Sequence, residues 1–436
     1  FANYQFNDDA FKNKSNSIWT KMYALVANIN GLLVHCDEEN SALREEYYPI
    51  VKGEALALRA MIHFDLLRLY GPSYNENTKS TLTIPYQNEA KRDITPLRSA
   101  EYVLERVIED LEEAARLLKD NDPVFTTGVG NAVTSDDGLE RADFTYRQLR
   151  LNYFAVQTLL ARAYLWKGDK ATAYRIAKEE VIGKNIVDEN KMIFPWTTPA
   201  QVEADDKNDL LFSSEVFFAI YNSSRSKINS SYFVPALQLT SRLTFIGSNP
   251  SNSQIPVFYD DPDNDWRASL AWAVYTTTED SKKDDDDDDN DDEKVDANSS
   301  LYFLKYADAG REAELDGTET YLYMIPLIRL SEAYLIAAEC AATPEEALEY
   351  LVAIREHRNC HMPIMATSSD EVRELVTREF AREVIGEGQL FFYYKRLNLT
   401  TFLSGSEIGG TYEMLTDNYK WPLPDVEVDK RGSTNN

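Results

Sequence analysis

Cysteine is scarce in this sequence. Cys36, Cys340 and Cys360 are three in 436 residues, too few and too odd in number for a disulfide framework. Histidine is scarce as well, limited to His35, His63, His357 and His361. The neighbours His35-Cys36 and Cys360-His361 raise the question of a zinc site, but the paired-cysteine spacing of structural zinc is absent. No Gly-x-Ser-x-Gly, His-Glu-x-x-His or phosphate-loop motif occurs, so the corresponding hydrolase and nucleotide chemistries leave no signature here. No apolar run approaches the roughly 20 residues that span a bilayer. No basic-then-apolar leader opens the chain, and Phe1 in place of Met leads us to expect a processed or trimmed form. Basic charge is the remaining deficit: 45 Lys and Arg stand against 73 Asp and Glu, a net charge of -28. Phosphate backbones and anionic lipid surfaces are repelled by such a field, which argues against a nucleic-acid partner.

Aromatic residues are what the chain has in excess. Its 26 Tyr, 19 Phe and 6 Trp supply more flat, amphipathic side chains than a core needs. A hydrophobic content of 43% in a chain of this length can bury a large core without metal or disulfide.

Apolar residues from Ile18 to Leu33 recur at spacings of three and four, which predicts a helix. A second helix is predicted from about Leu43 to Leu69, stopped by Gly71-Pro72, and a third from Ser99, its cap, to Leu118. Residues Tyr74 to Leu97 read as a polar, aromatic loop. Tyr146 to Trp166, a turn at Gly168-Asp169, and Lys170 to Val181 read as a helical hairpin. Its Leu160-Ala161-Arg162-Ala163-Tyr164-Leu165-Trp166 string places small residues as a tetratricopeptide unit does. Leu327 to Ala342, a turn at Thr343-Pro344 with Pro at a first helical position, and Glu345 to His357 repeat that grammar, and Asp370 to Gly386 adds a helix. Between Lys191 and Thr320 the periodicity fails, and Val216 to Tyr221 is the best strand. The acidic run Asp284 to Asp292 predicts a solvated loop; calcium at Asp284, Asp286 and Asp288 is the functional alternative, though glycine-placed loop geometry is missing. No cofactor is expected otherwise.

Several segments, in order, resemble the SusD/RagB family of outer-membrane nutrient-binding lipoproteins. Gly53-Glu54-Ala55-Leu56-Ala57-Leu58-Arg59-Ala60, running on through Phe64-Asp65-Leu66-Leu67-Arg68-Leu69-Tyr70-Gly71-Pro72, is very close to that family's most recognisable motif. Ser214 to Ile220, Pro326 to Leu335, Arg378-Glu379 with Glu383 and Glu387-Gly388, and Trp421-Pro422-Leu423-Pro424 match later blocks. Val352, where the family usually has Asn, and Phe391 to Tyr394, in place of Phe-Asp-Leu, depart from it. The resemblance implies a mainly α fold of tetratricopeptide-like helix hairpins with an irregular, loop-rich insert containing short strands. It implies one domain over 1–436, with a helical scaffold at 1–190 and 321–400, a ligand-binding segment at 191–320 and an irregular end at 401–436. It further implies surface capture of glycans for nutrient uptake, without catalysis, beside a SusC-like TonB-dependent transporter. Attachment to the outer membrane would be through a lipid anchor not contained in this sequence. A helical-barrel glycoside hydrolase and a tetratricopeptide adaptor for a peptide or glycoprotein are the alternative readings.

Arg59, Arg329, Glu54, Glu379, Glu383 and Glu387 lie in apolar helical contexts and are expected to form structural ion pairs rather than catalytic groups. His63 is expected to be a satisfied core position. Sugar recognition needs aromatic rings flanked by amides and charged groups on loops. Two segments qualify by composition, and the resemblance selects the same two. The expected contacts are Tyr74, Asn75, Tyr86 and Asn88 on the first, and Tyr232, Tyr259, Trp266, Arg267 and Trp272 on the second.

Overall fold

Helices begin where side chains can take up the free backbone N–H groups of the first turn. The computed structural model describes residues 4–38, 43–91, 93–129, 145–189, 191–204, 208–238, 241–276, 299–307 and 320–432. Asp8 accepts the Ala10 N–H at 2.7 Å and opens helix α1 (Asp9–Cys36), ahead of the apolar repeat, so that Phe11 and Ser15 also reach the core. Helix α2 (Tyr48–Tyr70) carries proline in its first turn and stops at Gly71, where an added Cβ would lie 2.7 Å from the Leu67 carbonyl oxygen. Ser99 caps α3 (Ala100–Leu118). The two helices pack closely because Gly53 faces Leu118 and Ala57, Ala60 and Ala114 are fully buried between them.

Asn152 caps α4 (Tyr153–Lys167), the chain turns at Gly168 with φ +90°, and α5 (Lys170–Arg175) runs on as a π-helix to Gly183. The second hairpin is α6 (Leu330–Cys340) and α7 (Pro344–Glu356). Helix α8 (Ser369–Val384) opens on a Ser368–Glu371 capping box. Two further helices, α9 (Leu390–Leu397) and α10 (Asp425–Gly432), were not legible as repeats.

The strands are short and pair in twos: β1 (Ile186–Asp188) with β2 (Lys191–Met192), β3 (Val216–Tyr221) with β6 (Met324–Arg329), β4 (Trp272–Thr276) with β5 (Ser299–Phe303), and β7 (Thr401–Leu403) with β8 (Thr411–Glu413), all antiparallel. The expected strand at Val216 to Tyr221 forms. The helix expected from Leu327 starts instead at Leu330, because residues up to Arg329 continue the ladder with β3. Alternating burial along Met324 to Arg329 is the strand's period of two, which an apolar run this short does not disclose. The molecule is thus mainly helical, with an irregular insert and short strands. One large core joins α1 to α8, and a second, more aromatic one gathers Phe233, Tyr259, Trp272, Phe303 and Tyr306 within the insert.

The charged positions of the α2 motif bolt helices together. Arg59 holds Asp110 of α3 through two hydrogen bonds of 2.7 and 2.8 Å, and Glu54 accepts from Arg147 at 2.6 Å. His63 is satisfied on both sides. Its Nδ1–H donates to the Arg59 carbonyl at 2.9 Å and its Nε2 accepts the Gln87 N–H at 3.0 Å, a pairing that only the neutral ring can make. Burial accordingly holds its pKa down at about 3.

The insert is joined to the helices by a buried charge network. Six cations, Arg267, Lys305, Arg329, Arg355, Arg358 and Arg382, meet six carboxylates, Glu215, Asp260, Asp265, Glu379, Glu383 and Glu387. Arg267, expected to contact ligand, is a hub of this network: it grips Asp265 at 2.6 Å, Glu379 at 2.5 Å and Glu383 at 2.8 Å. Arg358 bridges Glu215 at 2.6 Å and Glu383 at 2.8 Å. Burial by itself would raise the Glu383 carboxyl, yet Arg358, Arg329 and Arg267 hold it well below the usual carboxylate range. Glu379 and Asp260 are lowered for the same reason, against their own desolvation.

Removing one partner of such a network leaves an uncompensated buried charge. Arg267→Ala should therefore destabilise the fold by about 3–5 kcal/mol in urea unfolding, and a loss near zero would contradict the hub role. His63 and the lowered carboxylates of the network act in the same direction as pH changes. His63 is neutral in the fold, so its contribution is full above its ordinary 6.5 and is lost as pH falls from there towards about 3. The depressed carboxylates contribute fully above their unfolded values, about pH 4, and lose that contribution as pH falls through their folded ones. The urea midpoint should decline in two stages on acidification. His63→Gln, which keeps one donor and one acceptor but cannot protonate, should flatten the upper stage.

Candidate functional site

The residues expected to touch ligand divide between separate parts of the structure. Tyr86 is buried, its ring stacked on His63 at 4.1 Å and its hydroxyl donating to Asp110. Asn88 is exposed, but its carbonyl accepts from Arg59, which fixes the loop to α2. Tyr74 is half-buried against the helical core, and the Asn75 side chain caps its own turn by accepting the Asn77 N–H at 2.9 Å.

In the second segment Tyr259, Trp266, Arg267 and Trp272 are between 1% and 7% exposed. Trp266 packs in a small cluster with Phe212 and donates its indole N–H to Glu203 at 2.8 Å. Trp272 and Tyr259 belong to the insert's aromatic core. These rings, with Tyr86 and Arg267, pack inside the structure and line neither of its two cavities of sugar size, so they are corrected from ligand contacts to scaffold. Tyr232 alone of the second set is exposed, at 47%. The acidic positions Asp284, Asp286 and Asp288 lie outside the described residues. Among the described residues no group of three or more His, Cys, Asp or Glu could hold a metal ion.

A groove opens one layer beyond Trp272. Trp272 stacks behind Phe245 at 4.7 Å, and Phe245 packs on Phe258 at 5.0 Å. Phe258 lines a cavity of about 590 Å³ against α8, and Phe245 lines an adjoining one of about 830 Å³. Phe402 and Leu403 of β7 line both cavities, so the two meet at that strand. The pairing of β7 with β8 sets Phe402 directly opposite Tyr412, ring centroids 5.4 Å apart and 26° from parallel. Tyr394 of α9 stacks on Phe402 at 4.6 Å and 25°, which extends the row to three rings. Burial pushes the Tyr394 phenol up to about 12, so it stays protonated at neutral pH.

Gln254 fastens the hairpin to the opposite wall. Fully buried, it donates to the Ser404 carbonyl at 2.7 Å and accepts the Gly409 N–H at 2.8 Å, while the Ile246 N–H reaches the Gly405 carbonyl at 3.0 Å. Around the larger cavity stand hydroxyls and an amide, among them Ser248, Asn252, Ser299 and Ser300. Apolar faces with such neighbours suit a neutral polyol of pyranose size. Tyr232 sits by this rim, its carbonyl accepting the N–H of Leu243, which lines the cavity.

Sequence reasoning missed Phe245, Tyr394, Phe402 and Tyr412. A signal for the last three existed: aromatics at 391–394, 402 and 412 interleave with Gly405, Ser406, Gly409 and Gly410. That is the composition that drew attention to the earlier loops.

Comparison with known proteins agrees with this architecture. A family model described as SusD-like, starch-binding associating with outer membrane, matches residues 2–128, and that of the SusD family matches residues 262–433. Together they span more than half of the chain. No curated protein matches. Among solved structures, a SusD superfamily protein from Bacteroides thetaiotaomicron superposes with a TM-score of 0.64 at 19% identity, covering 94% of this chain and 83% of that one. A SusD-like carbohydrate-binding protein from Bacteroides vulgatus gives 0.63 at 17%, covering 95% and 82%. A protein titled laminarin-binding and SusD-like gives 0.58 at 19%, covering 94% and 83%. The chain belongs to the SusD/RagB family and is a glycan-binding protein of nutrient uptake rather than an enzyme.

Proposed function

We propose that the glycan is held in the groove that crosses Phe402, with Tyr394, Phe402 and Tyr412 on one side and Phe245 and Phe258 on the other. The observation that carries this reading is the meeting of the two cavities at an aromatic row, the larger of them lined by serine and threonine hydroxyls and the Asn252 amide. Apolar C–H faces of successive sugar rings pack on the row, and their hydroxyls exchange hydrogen bonds with Ser300, Asn252 and Thr401. Tyr232 extends the contact at the rim. The rigid two-stranded hairpin, clamped by Gln254, keeps the row in place without ordering cost on binding.

The family places such proteins at the outer membrane, and we infer that this chain acts there, lipid-anchored, by passing captured oligosaccharide to a SusC-like TonB-dependent transporter. No helix is long and apolar enough to cross a membrane among the described residues. Attachment through an anchor is consistent with that. The laminarin-binding neighbour makes β-glucan oligosaccharides a sensible first probe.

Titration of an oligosaccharide panel should give saturable heats, and prolonged incubation should release no new reducing ends; product release would favour the hydrolase alternative. Phe402→Ala and Tyr412→Ala should each weaken binding roughly ten-fold or more, as loss of a stacked ring predicts, with little change in melting temperature. Trp272→Ala, which empties a core site behind Phe245, should instead lower stability by about 3–5 kcal/mol. Wild-type affinity in both hairpin variants would move the site elsewhere.

A further inference from the structure

The two cavities differ in charge. The smaller is bordered by α8, where Glu374 pairs with Arg378 and Asp370 with Arg373. The larger has no carboxylate among its described lining residues, although the chain has 73 acidic groups to 45 basic ones. Its one Lys or Arg side chain is Arg242.

Arg242 is 6% exposed and, among the described residues, meets only neutral partners: Nη1 donates to the Pro235 carbonyl at 3.0 Å and Nη2 to Ser300 Oγ at 2.6 Å. Its Nε has no hydrogen-bond partner. The other buried arginines described above behave differently, since Arg59, Arg147, Arg267 and Arg358 each have a carboxylate within 3.0 Å. A guanidinium has five N–H donors, and the two bonds named above leave the rest unclaimed. Burial accordingly pushes its pKa down, with no carboxylate to oppose the shift. A buried cation without a counter-ion costs free energy unless a further group neutralises it. Here the cation borders a cavity large enough for sugar rings.

We infer that Arg242 recognises a single acidic group, a carboxylate or a sulfate ester, on the glycan that the groove binds. The inference rests on the groove reading above and narrows it to acidic sugars. The planar fork of a guanidinium matches the paired oxygens of either anion. Ser300, which the fork already holds, lines the same cavity. The net charge of -28 repels dense polyanions at long range, so the fitting ligand carries few acidic groups on an otherwise neutral backbone.

The test is an array of size-matched oligosaccharides in which every acidic member has a neutral partner: uronate beside its methyl ester, sulfated beside desulfated. Wild-type protein should bind the acidic member of at least one pair about ten-fold more tightly, as a charge-assisted fork predicts. Whether that pair belongs to the uronate or the sulfate arm identifies the anion. Arg242→Gln should erase the preference while neutral partners bind as before, and Arg242→Lys should keep part of it. Equal binding of acidic and neutral partners, or a preference surviving in Arg242→Gln, overturns the inference. The wild-type comparison decides the matter even if the Gln variant fails to fold. Binding that Phe402→Ala abolishes, with no acid preference in wild type, removes only the role of Arg242. An array on which no member binds removes the groove reading itself.

Discussion

The buried network of six cations and six carboxylates is the constraint on which the rest of the structure depends. Half of its anionic side is a column: Glu379 and Glu383 stand one turn apart on α8, and Glu387 follows in the turn after it. The cationic side comes from many elements, with Arg329 at the end of β6, Lys305 after β5, Arg267 in a helical turn of the insert, and Arg355 and Arg358 at the end of α7. Two-stranded sheets with strands of two to six residues are not stable alone. Apolar contacts could bury these segments in many ways, but a bidentate pair such as Arg358 with Glu383 closes in one geometry. Equal numbers of opposite charges let the whole set be buried without net charge.

The groove inherits its shape from that network. Asp260 takes hydrogen bonds from both Arg382 and Arg355, and Arg382 also donates to the Phe258 carbonyl at 2.8 Å. The backbone that carries Phe258 into the cavity wall is therefore tied to α8 by charge. From Phe258 the order passes to Phe245 and Trp272 by ring contact, and through Gln254 to the hairpin that carries Phe402 and Tyr412. Each step is a buried hydrogen bond or a ring stack. A site assembled on short strands and loops thus gains the rigidity that binding without reordering requires.

The helical frame was legible because its signals are local. Ser99, Asp169 and Thr343 announce helix starts by chemistry that acts within three residues, whereas a start at Tyr146 passes over Asn152, the cap of α4. Gly53 and the alanines of α2 announce a close helix contact, and Arg59 or Glu383 in apolar surroundings announces a partner. The direction in which an aromatic faces is not local. Trp266 and Trp272 sit in a loop-rich segment whose composition suits a sugar site, and nothing within a few residues says that Phe212 and Phe245 lie between them and solvent or close around them. Arg267 was read as a free charge because its partners on α8 are more than a hundred positions away. The groove was missed for a related reason: its two walls, near 245 and near 402, meet only in three dimensions.

Charge distribution follows from the same arrangement. Because the interior network is balanced, and Arg59 and Arg147 are matched by Asp110, Glu54 and Asp122, the excess of acid over base lies outside the network. A strongly negative exterior keeps the molecule off anionic headgroups and away from other copies of itself. It also means that a cavity with no carboxylate among its described lining residues is an interruption of the surface rather than a sample of it. Within that interruption the aromatic row supplies affinity for any sugar ring of suitable shape, a poorly selective force. Selectivity has to come from polar groups whose desolvation is repaid only by the right partner, and in the larger cavity one of these is the Arg242 guanidinium.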